Sequence, residues 1–226
     1  MKYRSSIPKN ARERVIERYG NGSKKRAKYV LNGAVVGERW FHEGGELEFE
    51  RSLKRGKQHG RMYRWDEPGK LLSVEPYKNG KPHGLAKQWG NDGRLIGSYE
   101  MKHGTGIDLW WNECGGSLYL SEIHCLRDGW PHGFVGWLNA GGTLSNECYW
   151  IAGKKHGVER DWNWLGRLRR GYPKYYVHNQ QVTRRHYIKT CASDPTLPKF
   201  DPADNTPKRK FPPEVRAAIR RGQERR

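Results

Sequence analysis

The chain has 226 residues, a net charge of +19 and a mean hydropathy of −1.02. Only 35% of the residues are hydrophobic and 28 are Gly, which argues against a thick, closed core. The area that folding can bury sits instead in ten Trp and twelve Tyr, each able to bury on the order of 150–250 Å².

No run approaches the ~18 apolar residues that a membrane helix needs, and the start from Met1 to Ser6 has no apolar signal region. The expectation is therefore a cytoplasmic protein without a membrane span. Charge is uneven along the chain. Residues 1–34 carry +8, residues 35–183 only +4, and residues 184–226 carry +7. That pattern reads as two basic ends on a nearly neutral body.

In chain order, residues 1–28 read as a basic N-terminal helix and linker. Asn10 is the expected N-cap, Ala11 to Tyr19 the helix, and Gly20 to Ser23 the linker before the cluster Lys24, Lys25, Arg26. Residues 29–183 are dominated by a repeat. A Gly-x-Leu signature recurs at Gly45, Gly69, Gly93, Gly116, Gly142 and Gly166, with spacings of 23 to 26 residues. A second Gly usually follows His upstream of it, at His59-Gly60, His83-Gly84, His132-Gly133 and His156-Gly157. A large apolar residue stands five positions on, at Trp65, Trp89, Trp111, Leu138 and Trp162.

Each unit reads as a β-hairpin. Leu85 and Trp89 share parity, the turn Asn91-Asp92-Gly93-Arg94 reverses the chain, and Leu95 to Tyr99 returns. Lys78-Asn79-Gly80-Lys81 then passes it to the next unit. The expected fold is all-β, an elongated antiparallel sheet of tandem hairpins whose neighbours share their aromatic sides. Gly60, Gly84, Gly106, Gly133 and Gly157, with Trp65, Trp89 and Trp162, are its expected structural positions. The fourth copy departs from the pattern, so a bulge or insertion is expected between Gly104 and Glu122. Residues 184–226 read as a basic, Pro-rich tail, extended over 194–213 and ending in a short helix from Pro213 with Val215, Ala218 and Ile219 as its apolar stripe. Terminal helices would cap open sheet edges.

The segment from Tyr77 to Leu95, with its Lys-Asn-Gly-Lys-Pro-His-Gly start and Trp89-Gly90-Asn91-Asp92-Gly93 end, resembles a MORN repeat in its bacterial variant form. The resemblance covers roughly residues 29–183, with a partial seventh unit at Tyr176 to Gln180. It implies a non-enzymatic interaction or scaffold module, possessed in some bacterial members of an antitoxin-like role.

Candidate chemistry is sparse. No phosphate loop, nucleophile elbow or zinc spacing is present, so neither a catalytic residue, a metal ligand nor a cofactor is assigned. His59, His83, His132 and His156 recur too far apart for one ion, and local turn packing accounts for them better. Cys114, Cys125, Cys148 and Cys191 form no Cys-x-x-Cys pair and read as reduced thiols. Asp108, Glu113, Glu122 and His124 cluster around the irregular copy and can be a carboxylate–His site or simply exposed strand charges. Trp110, Trp111, Asp108 and Trp130 are candidates for contact with a protein partner. The rival reading is nucleic-acid binding through Lys24, Lys25, Arg26, Lys28, Lys208, Arg209, Lys210, Arg216, Arg220 and Arg221.

Overall fold

The computed structural model describes residues 3–208 and 210–224; Met1, Lys2, Arg209 and the last two residues lie outside the described set. Strands dominate, and among the described residues they pair antiparallel. The chain divides into two compact units after His103.

The first unit holds β1 (Arg12–Arg18), β2 (Lys24–Leu31), β3 (Ala34–Phe41), β4 (Leu47–Lys54), β5 (Lys57–Gln58), β6 (Gly60–Trp65), β7 (Leu71–Lys78), β8 (Lys81–Pro82), β9 (Gly84–Trp89) and β10 (Leu95–Lys102). The second holds β11 (Thr105–Cys114), β12 (Ser117–Arg127), β13 (Trp130–Leu138), β14 (Leu144–Ile151), β15 (Lys154–Lys155), β16 (Gly157–Asp161), β17 (Lys174–Val177) and β18 (Gln180–Val182). Two helices follow, α1 (Arg184–Cys191) and α2 (Pro213–Glu224). The partial seventh unit is thus the hairpin β17–β18.

Two turn chemistries build the repeat. At the Gly-x-Leu positions a loop such as 90–94 closes with Gly90 N–H donating to Arg94 O and Gly93 N–H to Gly90 O, with Gly93 at φ +78°. At the other end a two-residue turn holds both central residues at positive φ, as in Asn79 (+53°) and Gly80 (+85°). The His-Gly dipeptides mark a third device. They interrupt the ladder between β5 and β6, β8 and β9, and β15 and β16, while His59, His83 and His156 N–H still donate across to Ser52, Pro76 and Tyr149 O. The fourth copy is the expected irregularity. Its turn is Gly115-Gly116, and its register slips between Trp110↔Glu122 and Trp111↔Leu120, leaving Ser121 as a bulge.

The N-terminal reading is corrected. Residues 11–19 are not a helix capped by Asn10; they form β1. Exposure alternates strictly along Arg12–Arg18, with Glu13, Val15 and Glu17 on the inner side. A strand puts Glu13, Val15 and Glu17 on one side, where Glu13 meets Lys24 and Tyr29 and Glu17 meets Lys25; a helix would turn Val15 to the side opposite the two acids. The sheet therefore begins at Arg12, not near residue 29.

The Trp row is largely core: Trp65, Trp111 and Trp162 are buried and Trp89 is half-buried. In the first unit residues 3–7 lie across it. Tyr3 packs edge-on to Tyr63 and Trp65, Tyr63 Oη donates to Arg4 O at 2.6 Å, and Ile7 fills the space that Gly37 leaves. In the second unit the tail does the same. Helix α1, capped by Thr183, buries Tyr187 against Val158, Tyr175 and Leu197. Residues 198–208 then run over the sheet, with Pro207 O accepting from Leu144 N–H, and Phe211 packs on Phe134. Helix α2 buries Val215 and Ala218 and packs on β11. The run expected to be extended over 194–213 is interrupted by a 3-10 turn at Pro202–Asp204, capped by Asp201, and α1 before it carried no sequence expectation. At the N-terminal end β1, with Arg12, Arg14 and Arg18 on its outer side, stands where a capping helix was expected.

Candidate partner-binding face

Cross-strand pairing assigns residues of the second unit to two faces. One carries Leu109↔Ile123, Phe134↔Tyr149 and Glu147↔Arg160, beneath the tail. The other carries the row Trp110↔Glu122↔Trp137↔Asn146 and, beside it, Asp108↔His124↔Val135↔Cys148. Trp150, opposite Gly133, belongs to this second face. It opens as a cavity of about 230 Å³ lined by His124, Leu126, Pro131, Val135, Trp137 and Trp150. Trp137 is 37% exposed at its mouth and meets the His124 ring edge-on at 5.5 Å.

Two carboxylates border this cavity. His124 Nε2 lies 3.4 Å from Glu122 Oε2, and Nδ1 lies 3.8 Å from Asp108 Oδ2, beyond hydrogen-bond length. The structure thus brings together three of the four members of the sequence cluster. Glu113 is separated, because it shares the parity of the buried Leu109 and Trp111. The partner candidates also divide. Asp108 and Trp110 lie on the open face. Trp111, 6% exposed, is core and is withdrawn as a contact residue. Trp130 is 63% exposed but stands at the start of β13 beside the turn at Gly153, one residue out of phase with Pro131 of the cavity wall. Trp137 and Trp150 escaped sequence reasoning because they sit outside the repeat's aromatic position; their parity with Val135 and Cys148 was the available signal.

The histidines are structural by their bonding. His59, His83, His132 and His156 each use Nδ1 to accept the N–H that opens the following tight turn, at Asn79, His103, Ala152 and His178, over 3.1–3.5 Å. His83 stacks on His103 and His156 on His178 at centroid separations of 4.2 and 4.3 Å. In the fourth copy Thr105 Oγ1 replaces His, accepting from Asp128 N–H. One cluster, His156, His178 and Asp194, has donor atoms close enough for a metal ion. Its chemistry opposes that role. With Nδ1 accepting from His178 N–H, neutral His156 carries its proton on Nε2, which faces Thr196 Oγ1 at 3.1 Å and Asp194 Oδ2 at 3.4 Å. A protonated nitrogen has no lone pair for a metal.

Burial, and then the neighbouring histidine or cation, holds His83, His132 and His156 below the ordinary imidazole range. In the unfolded chain these groups protonate first as pH falls through about 6.5. Stability is accordingly expected to fall from pH 7 towards pH 5 and to stop falling only below the native values. Urea midpoints across that window check this, and His156→Gln should flatten the slope.

The basic candidates divide as well. Lys24, Lys25, Arg26 and Lys28 belong to β2 rather than to a free arm. The first three pair with Glu13 or Glu17, and Arg26 lies over Trp40 at 5.1 Å. Arg216, Arg220 and Arg221 lie on the exposed side of α2, and Lys208 and Lys210 are exposed just before it. Arg209 lies outside the described residues. The cysteines are free, and burial raises the Cys125 thiol to about 11 and Cys148 to about 12.

No family model matches the chain, and no curated protein matches it.

Proposed function

We propose that the protein is a non-catalytic binding module, of the MORN-like kind its repeat resembles, that holds a protein partner on the face bearing Trp110, Trp137 and Trp150. The supporting observation is the aromatic-walled cavity on one side of a sheet whose other side is occupied by the chain's own tail. An accessible indole such as Trp137, set in a concave apolar patch beside half-buried Trp110 and Trp150, is a common kind of anchor in protein interfaces. An antitoxin-like or complex-assembly role in the bacterial cytoplasm is the concrete form of this reading.

The test is capture of partners from a lysate of the encoding organism by the full chain and by Trp137→Ala. A bound protein is expected to survive nuclease and 0.5 M salt and to bind Trp137→Ala about 30-fold more weakly, the usual loss at an aromatic hot spot. A partner indifferent to Trp137→Ala would remove the face from the reading.

The second reading, contact with RNA or DNA, is favoured by the Arg216, Arg220 and Arg221 side of α2 with Lys208 and Lys210. There the bound material would vanish with nuclease and weaken steeply with salt.

A further inference from the structure

We propose that the cavity between His124, Trp137 and Trp150 is a subsite for an arginine side chain on an extended basic segment of the protein partner. This deepens the protein-binding reading and rests on it. Charge is the first argument. The chain is strongly basic, and most acids of its ion pairs find Lys or Arg: Glu13 and Glu17 on β2, Glu38 on Arg51, Glu50 on Arg39, Glu147 on Arg160; Asp194 of the tail, paired with His156, is an exception. Asp108 and Glu122 are different. Among the described residues their only ionic neighbour is His124. Asp108 Oδ1 is buried without a hydrogen-bond partner. The carboxylate an incoming cation can reach is Glu122, whose side chain is 39% exposed; Asp108 behind it adds negative charge.

Shape is the second argument. Glu122 stands in the cross-strand row between Trp110 and Trp137, so the two indoles flank the carboxylate on strands about 10 Å apart. A flat guanidinium can stack on an indole while forking onto a carboxylate; an ammonium ion matches only the charge. The cavity wall of Leu126, Pro131 and Val135 takes the aliphatic stem. Trp150 closes the cavity with its indole, a surface that suits an alkyl stem and a flat guanidinium better than a free metal ion. Phosphate is disfavoured by the two carboxylates, which separates this face from the cationic side of α2.

The experiment uses the full ¹⁵N-labelled chain and two nine-residue peptides of Gly and Ser with one central arginine or one central citrulline. Indole N–H signals are assigned by Trp137→Phe and Trp150→Phe. The arginine peptide is expected to shift both signals saturably. The citrulline peptide, equal in shape but uncharged, should bind at least about tenfold more weakly. The double variant Asp108→Asn/Glu122→Gln should abolish the shift, while Glu43→Gln/Glu48→Gln, which removes exposed charges of the first unit, should leave it unchanged. An unaltered melting temperature confirms that the variants are folded.

Equal response to arginine and citrulline, no shift at 10 mM peptide, or a shift that persists in Asp108→Asn/Glu122→Gln would overturn the arginine subsite. If a partner protein still binds and depends on Trp137 while the peptides do not, the subsite fails and the protein-binding reading stands. If neither binds, both fall.

Discussion

Arg160→Ala is expected to destabilise the second unit by about 3–5 kcal/mol and to release the segment that follows α1. Arg160 is 3% exposed and Glu147 is fully buried, with Arg160 Nη1 donating to Glu147 Oε1 at 2.7 Å. Truncation takes the guanidinium away from a fully buried carboxylate, which is the costly half of a broken ion pair. The same guanidinium also anchors the tail, through Nε to Asn205 Oδ1 at 2.9 Å and Nη2 to Asp201 O at 3.4 Å. Urea unfolding followed by tryptophan emission measures the first effect. Trypsin cleavage at Lys199 and Lys208 measures the second and should accelerate at urea concentrations far below the unfolding midpoint. Replacing both partners, Glu147→Gln with Arg160→Met, should recover much of the loss, because neither charge is then stranded. A loss under about 1 kcal/mol for Arg160→Ala would mean that water reaches the pair.

That interaction also marks the limit of what the sequence made legible. The repeat was readable because each hairpin announces itself locally: Asn79-Gly80 and Gly93 need positive φ, and Leu85 and Trp89 share parity. The buried Glu147, Glu50 and Glu159 were not readable. An acid inside a sheet is explained only by what covers it, and the covers are residues 3–7 for Glu50 and Asn205 with Asp201 beside Glu147, remote in sequence. The failed helix over residues 11–19 has the same origin. Its cap and terminal Gly were local signals, whereas the partners of Glu13 and Glu17 lie on the next strand. The candidate face was half legible. Asp108, Glu122 and His124 stood out by composition. Trp137 and Trp150 joined them only through strand register, which sets Trp137 opposite Glu122 and Trp150 opposite Gly133 on the same side as Val135 and Cys148.

Two matched substitutions separate turn strain from turn stacking, and their difference is the second large effect. Gly33 and Gly104 occupy the same position of a two-residue turn, at φ +78° and +80°. An added Cβ at Gly33 meets nothing, so Gly33→Ala carries only the left-handed strain, about 1–2 kcal/mol. At Gly104 the same Cβ would lie 2.5 Å from Gly129 N and 2.8 Å from Asp128 C. Both are backbone atoms of the next turn, held there because Gly129 N–H donates to Gly104 O at 2.9 Å. Neither can swing away as a side chain would. Relief requires the two turns to part, losing that bond and pulling Asp128 N–H from Thr105 Oγ1. Gly104→Ala is therefore expected to cost about 3–4 kcal/mol, roughly twice the Gly33→Ala loss. Equilibrium urea unfolding of both variants decides the matter. Equal losses would show that neighbouring turns move freely past each other and that His and Thr at the preceding position merely decorate them. The expected inequality would show that successive hairpins are locked turn upon turn, which is how a chain with so thin a core keeps its repeats in register.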